Sequence, residues 1–299
     1  MRNRVVLLGC TGEIGSRLTM TLIGSGFEVF GVRASRECKI QSPLHTCLQR
    51  NLLSSELDLN LQNIKPEILI HTAWHTTPNL FWESESNSKW SEASQRIILD
   101  FENSGGKYLV VTGSCAEYSW ELGEPLSETS LELPVTAYGK ARLELLKWLR
   151  NKELPFLWTR TFFQFGLNEP EGRLIPSLID SLLEGRPYMI RSGKDIRDFV
   201  YVEDVVRILS YLISKKYTGV INIGSGVGSE IETASRKLAN LIGRDDLIGF
   251  KNDNKEKSIV VSNPEKLISI IGNYPWKPFE TALLESIKAR NIFGSKTSK

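Results

Sequence analysis

The chain has 299 residues, of which 41% are hydrophobic and 24% are charged, the usual range for a globular protein. Its net charge of +2 argues against a nucleic-acid-binding surface. No apolar run approaches the roughly 20 residues that span a bilayer, so we expect a cytoplasmic protein without membrane segments. The cysteines have no CxxC spacing and no histidine follows His75, so we expect free thiols and no metal site.

Short β-branched runs alternate with helical stretches through the first half of the chain. Strands are predicted at residues 5–8, 28–32, 68–72, 108–112 and 156–162. Helices are predicted at residues 15–24, 91–104 and 137–151. Apolar strands that alternate with helices are typical of a parallel sheet covered on both faces. The predicted fold is therefore α/β, a Rossmann-type doubly wound parallel sheet that binds ligands at the carboxyl ends of its strands.

The segment VVLLGCTGEIGSRL places Gly9, Gly12 and Gly15 after the first strand and at the start of the first helix. Gly9 permits a tight turn, Gly12 lets the backbone approach a pyrophosphate, and Gly15 lets the helix pack close to the sheet. The helix N-terminus adds N–H groups and a partial positive charge. This pattern predicts a dinucleotide site. The other residues of the turn that we expect at the cofactor are Thr11, Glu13 and Ile14.

The second predicted strand is followed directly by Arg33, and Arg36 lies close by. A site for NAD needs an Asp or Glu here to hold the ribose 2′-hydroxyl, whereas arginines suit the 2′-phosphate of NADP. The alternative is a pair of solvated surface arginines. The sequence favours NADP(H) over NAD(H).

Four segments occur in a characteristic order: the GCTGEIG turn, TGSCAEY after a core strand, AYGKARLE on a helix, and RDFVYVEDV. Together they resemble the extended short-chain dehydrogenase/reductase family, in its nucleotide-sugar epimerase/dehydratase/reductase branch. The resemblance covers nearly the whole chain. It implies an NAD(P)-binding Rossmann domain at residues 1–165. Residues 166–299 would then form a smaller C-terminal α/β region that mainly binds substrate, with some segments returning to the Rossmann core.

The same resemblance implies that Ser114 is the catalytic hydroxyl and that Tyr138, 24 residues later, donates or accepts the proton. The chemistry needs a phenol with a lowered pKa and a second hydroxyl that shares the alkoxide charge. Where the family has Lys, four residues after the Tyr, this chain has Arg142, and Lys140 lies on nearly the opposite side of the helix. Arg142 can bond the nicotinamide ribose but is a poor proton relay. Either the enzyme works with arginine, which we favour, or catalysis is slow or lost.

Further cofactor contacts are implied by the resemblance. Asn51 stands where relatives use Asp to contact the adenine amino group, although a turn residue is an equal alternative. The other positions expected against the cofactor are Leu52, Thr72, Ala73, Thr112, Tyr138 and Arg142.

Substrate contacts are implied in the same way. Arg197 would grip the nucleotide diphosphate, and Arg173 is a second candidate for the diphosphate or the sugar. Gln164 would bond a sugar hydroxyl or be a satisfied buried amide. The remaining expected contacts are Ser114, Trp74 and His75. The aromatic residues that either stack on substrate or pack a loop are Trp74, Phe81, Trp82 and Trp90.

The residues after Ser114 narrow the expected reaction. Dehydratases of this family place an Asp–Glu pair there, whereas this chain has Cys115 and Ala116. Enzymes that epimerise by proton exchange use a Cys and a His, but Cys115 is one residue off and the second half has no His. Cys115 is therefore expected to be a small buried residue.

What remains is NADPH-dependent reduction of a nucleotide-diphospho-4-keto-6-deoxyhexose at C4, a step of deoxysugar biosynthesis. The alternatives are a nucleotide-sugar 4-epimerase with retained NAD and a non-catalytic dinucleotide-binding homologue. Because relatives often dimerise through two helices, a homodimer through residues 90–103 and 137–151 is also expected.

Overall fold

The computed structural model describes residues 3–121, 123–167, 169, 171–251 and 257–294, with side chains described as far as Asn291. In this part of the chain the strands are β1 (Arg4–Leu8), β2 (Glu28–Arg33), β3 (His45–Gln49), β4 (Ile68–His71), β5 (Tyr108–Ser114), β6 (Phe156–Thr161), β7 (Phe163–Phe165), β8 (Tyr188–Ile190), β9 (Ile196–Tyr201), β10 (Gly219–Ile223), β11 (Gly228–Glu230), β12 (Ile248–Phe250) and β13 (Ile259–Val260). The α-helices are α1 (Glu13–Gly24), α2 (Leu61–Ile64), α3 (Ser86–Asn103), α4 (Ala137–Leu149), α5 (Leu174–Leu183), α6 (Val202–Ser214), α7 (Ile231–Ile242), α8 (Glu265–Ile271) and α9 (Phe279–Gly294).

Seven strands form one sheet in the order β10–β6–β5–β4–β1–β2–β3, and every neighbouring pair is parallel. The chain order reverses between β1 and β4, which is the switch point at which Rossmann-type sheets bind ligands. The predicted α/β doubly wound fold is therefore confirmed. The five predicted strands all occur, with ends that shift by no more than two residues.

Two strands of this sheet, β3 and β10, were missing from the predicted set. The sequence of β3, HTCLQ, is mostly polar, and most of its side chains are exposed because this strand lies at the edge of the sheet. The residues of β3 therefore lack the hydrophobic pattern that predicts a strand.

Two helices begin earlier than predicted. Helix α1 begins at Glu13 because Gly12 holds an extended backbone and its carbonyl accepts the N–H of Ser16 at 3.0 Å. Helix α3 begins at Ser86, within a polar stretch that is typical of loops. There the Asn87 amide donates to the carbonyl of Phe81 at 2.7 Å and satisfies the preceding turn.

Both faces of the sheet are covered by helices. Alternate side chains of β1 point to opposite faces, so Val5 and Leu7 pack with α1, α6 and α8, whereas Val6 and Leu8 pack with α3 and α4. The second half of the chain contributes α6, α8 and β10 to this core.

The rest of the second half forms a smaller layer beside the carboxyl ends of the large sheet. Strand β9 pairs with β7, β11 and β13, and β8 pairs with β12. Helices α5, α7 and α9 pack together around a separate apolar cluster. Within the described residues, no helix combines the length and apolarity needed to cross a bilayer.

Candidate active site

The glycine-rich turn lies between β1 and α1, at the carboxyl edge of the sheet. Gly9 has a φ of +86°, and its N–H donates to the carbonyl of Val32 at 2.8 Å. A β-carbon on Gly9 would lie 2.9 Å from the backbone nitrogen of Ala73, and one on Gly15 would collide with the Gly9 carbonyl oxygen. Only glycine fits at both positions. The turn therefore presents bare backbone and the start of a helix to any ligand above it.

A cavity of about 650 Å³ runs from this turn to the N-terminus of α4. It lies over the ends of β1, β2, β4, β5 and β6. The residues expected at the cofactor that line it are Gly9, Thr11, Gly12, Glu13, Ile14, Gly15, Arg33, Arg36, Leu52, Thr72, Ala73, Thr112, Tyr138 and Arg142. The expected substrate residues that line it are Trp74, Ser114, Gln164 and Arg173.

Two other expected contacts lie outside the lining. The Asn51 side-chain oxygen accepts the N–H of Leu53 at 3.1 Å, which closes an exposed turn. His75 lies within hydrogen-bond distance of the Ser86 hydroxyl at one ring nitrogen and of the Thr77 hydroxyl at the other, both at 3.0 Å. Local hydroxyls therefore occupy both nitrogens of this imidazole.

Arg197 also lies outside the lining, because other protein groups hold its side chain. The guanidinium donates to Asp195 at 2.7 Å and to the Ser258 hydroxyl at 2.8 Å. It also lies over the rings of Trp120 and Phe163, at 5.6 and 5.2 Å from their centroids. A diphosphate contact would require this side chain to leave these partners, so its substrate role stays a prediction.

Ser114 ends β5 and begins a single turn of 3₁₀ helix. Its hydroxyl oxygen accepts the N–H of Ala116 at 3.2 Å, while its own N–H donates to the Glu117 carboxylate at 2.8 Å. Glu117 is fully buried and accepts from Arg160 Nε at 2.7 Å and from the Trp158 indole at 3.0 Å. This reciprocal cap fixes the hydroxyl of Ser114 at the carboxyl end of β5.

Tyr138 is the second residue of α4. The Thr136 hydroxyl caps this helix by accepting the N–H of Gly139 at 3.1 Å. The N–H of Tyr138 donates to the carbonyl of Trp82 at 2.9 Å. A β-carbon on Gly139 would collide with the carbonyl of Ala116, so α4 starts directly against the turn that follows Ser114. This contact brings the hydroxyls of Ser114 and Tyr138 together.

Aromatic side chains enclose the Tyr138 ring. Phe81, Trp82 and Trp74 pack edge-on against it, with centroid distances of 5.1, 5.7 and 6.3 Å. Trp90 stacks on Trp74 at 5.9 Å. All four residues line the cavity, so packing and substrate contact are compatible roles for them.

Opposing influences act on the Tyr138 phenol. Burial raises the pKa of Tyr138, and the Glu117 carboxylate raises it further. The Arg142 guanidinium, the Ser114 hydroxyl and Arg173 lower it, without offsetting burial. The net direction is upward, so the phenol carries its proton at neutral pH.

Arg142 occupies the family's lysine position, four residues after Tyr138. Its guanidinium lies between two indoles, 4.4 Å from the Trp74 centroid and 5.3 Å from that of Trp158. The side chain is only 2% exposed, yet its Nε and Nη2 have no hydrogen-bond partner. Because unpaired buried N–H groups are costly, they indicate a missing acceptor on the cavity side.

Two more unsatisfied groups line the same cavity. Gln164 Oε1 is buried without a donor, and Arg173 Nε is buried without an acceptor. Arg173 Nη1 lies 3.5 Å from a carboxylate oxygen of Glu169. The cavity thus offers both donors and an acceptor to a polar ligand.

At the opposite end of the cavity, Arg33 at the end of β2 and Arg36 in the following loop lie beside the glycine turn. Arg33 Nη1 approaches the carbonyls of its own loop at 3.4 Å. Arg36 Nη1 donates to the carbonyl of Thr11 at 3.2 Å. Arg36 is exposed and Arg33 is half-buried, so both have N–H groups available to an anion.

The model of a known family, described as the NAD dependent epimerase/dehydratase family, matches residues 5–224. This chain belongs to that family. Its curated relatives include UDP-glucose 4-epimerase of Rhizobium meliloti (strain 1021), 22% identical over 92% of each chain. Among solved structures, dTDP-glucose 4,6-dehydratase from Bacillus anthracis aligns with a TM-score of 0.85 at 18% identity over 98% of each chain. UDP-N-acetylglucosamine 4-epimerase from Methanobrevibacter ruminantium M1 aligns at 0.82, with 22% identity over 99% of this chain and all of that one. At these identities, both alignments establish shared architecture alone.

Two residues of this epimerase/dehydratase-family protein position the site although they were not among the residues expected there. Glu117 and Arg160 form an ion pair that is completely buried, and Glu117 orients the backbone of Ser114. The signal for Glu117 was present in the sequence, since S-x-x-E is a capping-box pattern. Arg160 carried no such signal, because its partner lies 43 residues away on another element.

Proposed function

We propose that this chain transfers hydride at C4 of a nucleotide-diphosphate sugar, and that it reduces a 4-keto-6-deoxyhexose with NADPH. One observation carries the proposal. The Ser114 and Tyr138 hydroxyls meet in a cavity that is continuous with the glycine-rich turn. A carbonyl in that cavity can face a proton donor and a second hydroxyl at the same time.

The residues present fit a nicotinamide dinucleotide. Gly9 and Gly15 leave room at the turn that a β-carbon would fill, as a pyrophosphate site requires. The unpaired N–H groups of Arg142 suit the hydroxyl oxygens of a ribose. Arg33 and Arg36 suit a 2′-phosphate, which supports NADPH over NADH.

The chain's own residues would manage the proton. When bound, the nicotinamide would supply the hydride that adds to C4. Tyr138 would donate its phenolic proton to the C4 oxygen, and the tyrosinate left behind would take a proton from solvent. The Ser114 oxygen accepts the Ala116 N–H, and its hydroxyl bonds that of Tyr138, so its hydrogen would turn from the phenol to the developing alkoxide.

The residues after Ser114 favour reduction over dehydration and proton exchange. The pKa of Tyr138 is raised by burial and not lowered as the chemistry led us to expect, so the phenol holds the proton that a reductase donates but is not made a stronger acid. Burial raises the pKa of Cys115 to about 12, so this thiol is a poor acid–base partner for dehydration or proton exchange. Neither Cys115 nor Ala116 can replace the carboxylate pair of a dehydratase.

A second candidate is 4-epimerisation with a retained cofactor. Curated relatives that align over most of this chain are UDP-glucose 4-epimerases, which favours a UDP-sugar and reversible oxidation at C4. The same Ser114 and Tyr138 would serve, with Tyr138 acting first as a base. The alternative to both activities is a non-catalytic dinucleotide-binding homologue in which Arg142 marks lost chemistry.

A deuterium-transfer assay separates these candidates. Purified protein is mixed with NADPH deuterated at the transferable position and with nucleotide-4-keto-6-deoxysugars that differ in base. Absorbance reports cofactor oxidation, and NMR reports deuterium at C4 of the product. A parallel arm offers UDP-glucose and UDP-N-acetylglucosamine without added cofactor.

Each result has a distinct meaning. Stoichiometric NADPH oxidation with deuterium at C4 supports the reductase. A C4 epimer of a UDP-sugar without net cofactor change overturns the reductase and supports the epimerase. NADPH binding with no product in either arm overturns both and supports the non-catalytic homologue.

A homodimer through α3 and α4 is part of this proposal. The two helices pack side by side on one face of the sheet, and Leu99 of α3 is exposed there. Sedimentation of the wild type against Leu99→Lys tests it, because a charge at this position would dissociate a dimer that buries it. Unchanged sedimentation of Leu99→Lys would contradict this interface.

A further inference from the structure

Three of the four cysteines meet one histidine beside the glycine-rich turn. Sγ of Cys10, Sγ of Cys38 and a ring nitrogen of His45 all lie within 4.8 Å of one another. Cys47 belongs to the same cluster, because its thiol interacts with those of Cys38 and Cys10. We call these four residues the thiol–imidazole cluster. None of them has a part in the proposed reaction.

The pairing of β2 and β3 creates the cluster. His45 and Cys47 are two residues apart on β3, so their side chains leave the same face of the sheet. Gly31 of β2 is the register partner of Cys47. A β-carbon on Gly31 would lie 2.7 Å from His45 Nε2 and 2.9 Å from Cys10 Sγ. Glycine at this position therefore lets the imidazole and the thiol converge.

The His45 ring is arranged as a metal ligand would be. Its Nδ1 lies 3.3 Å from the carbonyl of Ile40, an acceptor that places the ring proton on Nδ1. Its Nε2 is buried and has no hydrogen-bond partner. An imidazole with one nitrogen held by a carbonyl and the other bare is the usual state of a metal-binding histidine.

Arg33 lies beside the cluster. Its side chain contacts the thiol of Cys47, which places a positive charge next to the four side chains.

We propose that Cys10, Cys38, His45 and Cys47 bind one zinc ion. Three thiolates and one imidazole are a standard tetrahedral donor set for zinc. Zn–S bonds of about 2.3 Å and Zn–N bonds of about 2.0–2.1 Å place the donors roughly 3.5–3.8 Å apart. Cys10, Cys38 and His45 are already within 4.8 Å of one another and need only small side-chain shifts, whereas Cys47 lies outside that set and would have to turn toward it. The site would carry one net negative charge, which Arg33 would offset.

Zinc can reach this position from solvent. Cys10 and Cys38 line a second cavity of about 970 Å³, which adjoins the glycine turn on the side of α5. Cys47 is exposed at the sheet edge. Bound there, zinc would tie the glycine turn, the loop after Arg33 and the edge strand β3 together. It would act structurally, because four protein donors leave no position for substrate.

The test measures metal on the intact chain, free of any affinity tag that binds metals. Zinc per chain is determined by mass spectrometry after dialysis, for the wild type, Cys38→Ala, Cys47→Ala and His45→Gln. Cys115→Ala and His75→Gln are matched controls of the same residue types outside the cluster. Cobalt is then substituted for zinc in the wild type, and its absorption spectrum is recorded while a chelator competes.

The expected result is about one zinc per chain in the wild type and both controls. Each cluster variant should bind zinc at least 10–100-fold more weakly, since even an outer-shell change costs about that much. Cobalt should show thiolate charge-transfer bands and the intense visible bands of tetrahedral coordination. Cluster variants that keep the zinc of the controls would overturn the site.

Two results with the wild type alone would overturn the zinc site. The proposal therefore stays testable even if the variants fold poorly. One is a wild type that retains no zinc and gives cobalt no charge-transfer band. The other is a Cys38–Cys47 disulfide in peptide maps of protein purified under reducing conditions. None of these measurements uses activity, so failure here leaves the proposed reductase untouched.

Discussion

The side chains at the two ends of the cavity are held in place by different kinds of interaction. At the reaction end, Ser114 and Tyr138 are held by a reciprocal cap, a buried ion pair and a wall of aromatic rings. At the adenosine end, beside the glycine-rich turn, Arg33 and Arg36 donate to backbone carbonyls, and His45 Nε2 of the thiol–imidazole cluster has no partner. The Ser114–Tyr138 pair is thus held by side chains of the protein, whereas the side chains at the adenosine end are held only loosely.

This difference predicts that substitutions at the two ends affect different quantities, the reaction rate at one end and ligand affinity at the other. Changes at Ser114, Tyr138 or Glu117 should alter the reaction rate or the global stability, because protein side chains already hold these groups in place. Changes at Arg33, Arg36 or the thiol–imidazole cluster should alter the affinity for the cofactor or for a metal, because these groups have few protein partners. The predictions below follow from this contrast, from the largest expected effect to the smallest.

Tyr138→Phe should lower kcat by about 10²–10⁴-fold, the usual contribution of a positioned proton donor. The ring would remain packed among Phe81, Trp82 and Trp74, so folding and NADPH affinity should stay the same. Steady-state kinetics and calorimetric titration of NADPH measure the two quantities. A variant that keeps most of its kcat would remove Tyr138 from the reaction.

Glu117→Gln should lower the free energy of unfolding by about 3 kcal/mol, because it removes the fully buried partner of Arg160 and leaves that guanidinium paired only with the partly exposed Glu132. Urea denaturation measures this. Glu132→Gln is the matched control, since Glu132 pairs with the same arginine but is partly exposed. Equal losses of unfolding free energy in the two variants would show that burial of the Glu117–Arg160 pair does not determine its contribution to stability.

Arg33→Ala and Arg36→Ala should each raise the KM for NADPH by about 10-fold to 100-fold, since hydrogen bonds between charged groups contribute about 1.5–3 kcal/mol. The KM for NADH and the kcat should change little. Arg207→Ala, an exposed arginine on α6 outside the cavity, is the control. Parallel losses for both cofactors would argue against a 2′-phosphate site.

Ser114→Ala should shift the pH profile of reduction as well as slow it. Reduction needs the protonated phenol, so the rate falls as pH rises through the pKa of Tyr138. The Ser114 hydroxyl lowers that pKa, so its removal should move the alkaline limb to higher pH. Single-turnover rates across pH measure the limb, and movement to lower pH would contradict the assignment.

Local patterns were sufficient for the fold class and for the residues proposed to react. The strand–helix alternation predicted the parallel sheet, and glycine spacing predicted the turn after β1. Ser114 and Tyr138 were assigned by the resemblance of two short segments, TGSCAEY and AYGKARLE, to those of the family. Period and capping are properties of neighbouring residues, so sequence can report them.

Contacts between segments that are distant in the sequence could not be predicted from such local patterns. Asn51, His75 and Arg197 were expected at a ligand, but the structure gives each of them protein partners outside the cavity. The partners of Arg197 include Ser258, 61 residues along the chain. No spacing rule indicates such a neighbour.

What the sequence by itself determined is the alternation of strands and helices in the first half of the chain and the groups at their ends. What only the tertiary structure decided is which of these groups meet. Cys10, Cys38, His45 and Cys47 follow no metal-binding spacing, and from the sequence we expected free thiols. They converge because parallel pairing places β3 beside β2 and a glycine between them leaves room. Register and close packing are properties of the folded chain, and they placed these donors together.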